Sequence, residues 1–276
     1  MAASSSRLRT VFEGLAVPVA LIALWQAACD AGLVNPQILP SPAAVAQRWW
    51  AYLAPMEVFD PATHGSRVSW IFSGELIRDA IGSLTRVVLG FVVGAGLALP
   101  IGLFMGSSEA VYRYVNPLMQ VLRPIPPIAY IPLSILWFGL GNPPAVFLIA
   151  IGAFFPVLMN TIAGVRQVDG IYIRAARSLG ADRWTIFRRV ILPAATPYIL
   201  SGARIGIGTA FIVVIVAEMI AVNNGLGFRI LEAREYFWSD KIIAGMLTIG
   251  LLGLAIDLAV SRLNNHLLRW HRGLES

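Results

Sequence analysis

From Val87 to Ser108, and again from Pro124 to Val165, the chain carries no charged side chain. No other feature of the sequence restricts the fold as much. Crossing hydrocarbon takes about 20 residues of α-helix, and both stretches are long enough. Soluble domains hold about 25% charged residues, whereas this chain holds 13%, with 57% hydrophobic. The shortfall is concentrated in these runs. The alternative, a soluble protein with long buried helices, is disfavoured because such helices rarely run so far without charge. The chain therefore reads as an all-α membrane protein with about six transmembrane helices, near 12–31, 84–107, 114–139, 143–165, 196–222 and 241–261. Arg7 and Arg9 precede the first apolar run, Gly14 to Cys29. That run has the look of a signal peptide, but Gln26 stands where a lipoprotein cleavage site wants an aliphatic residue and further spans follow, so it reads as a retained span.

The net charge is +6. Topology accounts for it without any nucleic acid, because inside loops of membrane proteins collect Lys and Arg. With the N-terminus inside, twelve of the 21 Lys and Arg fall in inside segments and six outside. Both termini are therefore expected inside. Three regions follow: 1–83, a span plus an outer amphipathic segment; 84–261, the transmembrane core with an inside loop at 166–192; and a basic tail, 262–276. In the outer segment, a helix is expected from Pro42. Its Trp49, Trp50 and Tyr52 suit either the headgroup region or packing on the bundle.

Chemistry is sparse. The single cysteine, Cys29, rules out an intrachain disulfide. His64, His266 and His271 are scattered, so no metal site is expected. No Gly-rich loop with Lys-Ser/Thr is present to cradle phosphates, so this chain does not bind ATP by that route. No cluster of His, Asp or Glu marks a membrane enzyme.

Two segments carry more information. The inside loop from Val165 to Pro193 reads as two short helices. Ile171, Ala175 and Leu179 recur at helical spacing. Gly180 can end the first helix by a left-handed turn, and Asp182 fits the N-cap of the second. Trp184, Phe187, Val190 and Ile191 make one apolar face, and Pro193 is expected to stop that helix. Such a hairpin serves either as a docking element or as a stiff loop on lipid headgroups. The other segment, Leu122 to Gly139, contains Pro124, Pro126, Pro127 and Pro132. Each interior proline removes a hydrogen bond, so a continuous helix is excluded. A broken span is either a kinked helix in the bundle or the wall of a pathway, where freed carbonyls face protein or a wet cavity.

Charges at membrane depth are costly and are paired or functional. Asp257 is expected to pair with Arg204 or Arg123. Glu218 lies 14 residues beyond Arg204, about 21 Å by helix rise, so Arg86 is its better partner. Arg123, Pro124, Pro126, Pro127, Tyr130, Arg204 and Glu218 are the candidate pathway residues.

Arg174-Ala-Ala-Arg-Ser-Leu-Gly180, then nine residues, then Val190-Ile-Leu-Pro193, resembles the EAA signature of binding-protein-dependent ABC importer permeases. Arg174 stands in place of the motif's glutamate and Val190 in place of isoleucine. Arg-Pro-Ile-Pro-Pro from Arg123 with Trp137-Phe-Gly139, Gly152-Ala-Phe-Phe-Pro156, and Ala217-Glu-Met-Ile220 with Gly225-Leu-Gly-Phe228 resemble the nitrate/sulfonate/taurine-type members. The likeness covers about 80–250. It implies a type I importer (MetI-like) fold in a bacterial inner membrane and alternating access for a small, anionic solute. Arg174, Ala175, Ala176, Arg177, Leu179, Gly180, Ala181, Leu192 and Pro193 would dock an ATP-binding cassette subunit. ATP and Mg would bind that partner, so this chain is not itself an enzyme. A periplasmic solute-binding protein would meet 32–83 and 223–240, and a second permease copy would complete the pore, within membrane lipid. A stand-alone secondary transporter or channel is the competing reading. It would need its own coupling-ion site, and no clear internal repeat points to one.

Overall fold

The computed structural model describes residues 2–55 and 66–268. His64, Arg269, His271 and Arg272 lie outside the described residues, as do the side chains of Arg7 and Arg9. No strand occurs among the described residues. In hydrocarbon, a helix satisfies every backbone group within one segment.

The chain opens with α1 (Ala2–Asp30), α2 (Pro42–Leu53) and α3 (Arg67–Ile71). Then come α4 (Glu75–Ser107), α5 (Glu109–Leu122), a 3₁₀ turn (Pro127–Tyr130), α6 (Ile131–Phe138) and α7 (Asn142–Arg166). The hairpin follows as α8 (Gly170–Ser178) and α9 (Arg183–Ile186), which runs through a π turn (Phe187–Ile191) into α10 (Leu192–Ala221). The chain continues with α11 (Leu226–Glu235) and α12 (Ser239–Leu267).

Among the described residues, four continuous helices are long and apolar enough to span: α4, α7, α9 through α10, and α12. The expected third span is instead a pair, α5 and the segment Pro127–Phe138, bent by 82°. The proline cluster thus breaks the helix as anticipated. Counted as one span, the pair makes five; the apolar part of α1, Ala16–Asp30, is shorter than the other spans.

The described residues divide into two compact units. One combines the chain up to Arg78 with Arg229–Ile249. There, Ser41 caps α2 by accepting from the Ala44 N–H at 3.2 Å, with Pro42 in the first turn, as expected. The aromatic residues of α2 differ in their surroundings. Trp50 is exposed, Tyr52 is buried, and the Trp49 indole donates to Thr248 at 2.9 Å.

The other unit comprises Asp79–Phe228 and the chain from Gly250 onward. Its post is α7. Half or more of the α7 spanning window (56%) is buried, against 17% for α12, so α7 is central and α12 peripheral. Packing on α7 depends on small residues. Gly90, Gly94, Ala98, Gly102 and Gly106 recur every four residues along α4, and a Cβ on these glycines would run into Ile149, Ala150, Thr161 and Val165 of α7. On α10, Gly202 and Gly206 lie against Asn160 and Val157 of α7. Small residues let backbones approach where lipid supplies no hydrophobic drive between helices.

Candidate functional site

The hairpin forms largely as its residues dictate. Asp169 caps α8, accepting from the Ile171 N–H at 2.8 Å. The C-terminus closes with two backbone bonds, Gly180 N–H to Arg177 O at 2.9 Å and Ala181 N–H to Ala176 O at 3.0 Å. Gly180 has φ +81°, the left-handed conformation that this closure requires. Asp182 then accepts from the Thr185 N–H at 3.2 Å and starts α9. Those hydrogen bonds from Thr185 hold the Asp182 carboxyl below its ordinary range.

The tip is apolar and open. Leu179 is 89% exposed, and Ile171, Tyr172 and Trp184 are all more than half exposed. Arg174, Ala175, Arg177 and Gly180 are exposed beside them, with Ala176 and Ala181 half-buried. Arg174 folds back over Gly170.

Three expectations change here. Pro193 does not stop the second helix. The π turn ahead of it shifts the register, with the Leu192 N–H reaching Phe187 O five residues back, so the proline enters at the first turn of α10. Leu192 and Pro193 are half-buried there, apart from the tip. The apolar face differs as well. Ile186 is the buried residue, while Trp184 is exposed and stacks on Phe187 at 5.8 Å. Trp184 and Ile186 both precede the π turn, so tertiary packing decides which of them is buried.

Both intramembrane ion pairs form. The Arg204 guanidinium meets Asp257 through two bonds of 2.8 and 2.7 Å. Arg86 donates to Glu218 at 2.6 Å, with the side chains only 5% and 0% exposed. Glu218 also accepts from Ser83 Oγ at 2.8 Å and the Gly227 N–H at 3.0 Å. Arg86 donates to Asn142 Oδ1 at 2.7 Å and to both Asn224 O and Asn224 Oδ1. Asp79 and Ser83 accept from the Gly225 and Leu226 N–H groups at 2.9 and 3.0 Å. The segment 224–227 is thus bound to α4 through its own backbone. Gly225, at φ +106°, wraps over the Glu218 carboxylate, where a Cβ would collide.

The seven expected pathway residues do not gather in one place. Arg123, Pro126 and Pro127 line a cavity of about 370 Å³ with Phe155, Asn160 and Thr209. Tyr130 lines an adjoining apolar groove of about 650 Å³, which shares Ile151 and Phe155 with that cavity. Arg204 lines a small pocket with Asp257. Pro124 lines none of these cavities, and Glu218 is sealed inside its network. Asp79, Ser83, Asn142, Asn224, Asn160 and Thr209 escaped the sequence reading. Small polar residues in apolar runs were the available signal.

The chain matches the family model described as "Binding-protein-dependent transport system inner membrane component" over residues 98–273. The chain belongs to that family. The permease is 37% identical over 263 residues to a Bacillus subtilis permease protein named for aliphatic sulfonates transport, covering 95% of this chain and 89% of that one. It is 34% identical to the taurine transport system permease protein of Escherichia coli, covering 95% and 91%. Its fold matches the MetNI methionine ABC transporter in an inward-facing conformation, with TM-score 0.63 and 20% identity, over 71% of this chain and 97% of that one. The fold class is therefore that of MetI-like ABC importer permeases, and the protein is a multi-pass component of the inner membrane.

Proposed function

We propose that this permease moves a small sulfonate-type anion into the cytoplasm, driven by ATP hydrolysis in separate subunits that seat on the hairpin α8–α9. The open apolar tip, held rigid by the Gly180 closure and the Asp182 cap, carries this reading. Arg174, Ala175, Ala176, Arg177, Leu179, Gly180 and Ala181 form the seat. Leu192 and Pro193 transmit its motion into α10, since the backbone runs unbroken from Arg183 to Ala221. Force on the tip therefore reaches a span directly, and a rocking span alternates access. Both termini face the cytoplasm on the charge bias. ATP and Mg stay on the partner, a periplasmic binding protein delivers solute, and two copies of this chain form the pore. The solute class rests on the two relatives, named for aliphatic sulfonates and taurine.

Gly180→Val tests the seat. A side chain forced into the left-handed region costs about 1–2 kcal/mol, enough to disfavour the closure about tenfold. Uptake into proteoliposomes should fall by about that factor while ATP hydrolysis continues and the protein inserts normally. Unchanged uptake would remove the coupling role.

A further inference from the structure

Arg86 and Arg204 each hold a carboxylate, but the third intramembrane arginine does not. Among the described residues, no hydrogen bond or ion pair reaches the Arg123 guanidinium. It stands at the 82° break, where α5 ends, and lines the cavity of about 370 Å³. That cavity sits halfway along two spans. Phe155 is next to the middle residue of α7, and Ile205 and Thr209 flank the middle of α10. A charge at such depth needs a counter-charge.

Three sources could supply it, and the structure separates them. Lipid phosphates lie at the ends of spans, not at their middles. Among the described residues, a second copy of the chain has no free acid to offer at depth, because Glu218 and Asp257 are already held by Arg86 and Arg204. The remaining source is an anion passing through the cavity. Resting on the importer reading above, we infer that Arg123, Asn160 and Thr209 form a transmembrane binding site for a small sulfonate-type oxyanion, so that the permease itself selects for charge.

The chemistry of the walls fits. A planar guanidinium matches the oxygens of an oxyanion with paired donors. Asn160 Nδ2 gives one hydrogen to Pro156 O at 2.8 Å and keeps another. Thr209 donates to Ile205 O at 3.0 Å and keeps its lone pairs, which can accept from an ammonium on an aminosulfonate. Phe155, Pro126 and Pro127 give the apolar remainder. The volume is at the small end of the range for ligand pockets, about 300–1,000 Å³.

The test uses the permease with its ATP-binding subunits, without binding protein, in phosphatidylcholine nanodiscs. The readout is equilibrium binding of radiolabelled taurine, with methanesulfonate as competitor. Wild type should bind saturably, and methanesulfonate should compete. Arg123→Ala should weaken binding about tenfold or more, as loss of a charged hydrogen-bonding partner does. Arg123→Lys, which keeps charge without the fork, should weaken it less. Asn160→Asp should abolish it with Arg123 in place, by installing a carboxylate in the cavity. Absent binding in wild type, or unchanged affinity in both Arg123→Ala and Asn160→Asp, would overturn the site. Loss of binding on replacing the lipid with phosphatidylglycerol would overturn its assignment to a solute. Wild type that imports taurine with binding protein and ATP but fails to bind it sinks only this inference. Binding without ATP-driven import sinks the importer reading and leaves the site standing.

Discussion

The Arg86–Glu218 and Arg204–Asp257 pairs close at nearly the same distance, 2.6 and 2.7 Å, in opposite surroundings. The first is sealed, at 5% and 0% side-chain exposure, and shares its atoms with Ser83, Asn142, Asn224 and Gly227. The second is about half exposed on each side, and its two bonds run only between the partners. A carboxylate in the first environment is specified by direction as well as charge, because a backbone N–H points at it. In the second, only charge complementarity is specified. The first pair is thus a clamp on the segment 224–227, and the second is a removable link between α10 and α12.

The largest effect should come from breaking the clamp. Glu218→Ala leaves a buried guanidinium unpaired, a change that typically costs about 3–5 kcal/mol. Thermal unfolding of the purified protein should show it. The exchange Arg86→Glu with Glu218→Arg should not rescue, because the Gly227 N–H would then face a cation. A stable exchanged protein would show that charge alone matters there. The exposed pair should behave differently. Asp257→Ala should destabilise less, and the exchange Arg204→Asp with Asp257→Arg should restore most of the loss. Failure to restore would reveal a further partner. The smallest effect concerns an acid outside the spans. Asp182 has its pKa lowered in the fold by Thr185, so its cap is intact above the ordinary value of 3.8 and is lost as pH falls through the depressed one. Amide exchange at Thr185 should therefore accelerate, relative to its intrinsic rate, only on strong acidification. Asp182→Asn, which still accepts a hydrogen bond, should cap α9 with no such pH dependence.

Much of this was legible in advance. Charge-free runs marked the spans, and the prolines from 124 onward marked the break. Helix rise separated Glu218 from Arg204 and pointed to Arg86, but it left Asp257 a choice between Arg204 and Arg123, which the fold decided for Arg204. Gly180 and Asp182 ended and started helices as their backbone preferences require. Residues such as Asp79, Ser83, Asn142 and Asn224 were not legible as a group, because each is unremarkable in its own segment. They acquire a role only when α4, α7 and the segment after α10 converge. The stripe from Gly90 to Gly106 was visible as a period of four, yet nothing local says that it faces α7. Equally, the seven pathway candidates, six of them charged or proline residues and the seventh Tyr130, looked alike in their apolar runs, and the fold distributed them among different surroundings.

The linear chain fixed what hydrocarbon and backbone chemistry judge locally: which segments can lie in a membrane, where a helix must break or cap, and how deep each charge sits. Those properties depend on a residue and its near neighbours. Packing decided the rest: that α7 is the post, that Pro193 continues a helix instead of ending one, that Glu218 is sealed, and that Arg123 is left facing a cavity. Each depends on which surfaces meet across long chain separations, where the small residues allow close approach and the remaining groups must find partners.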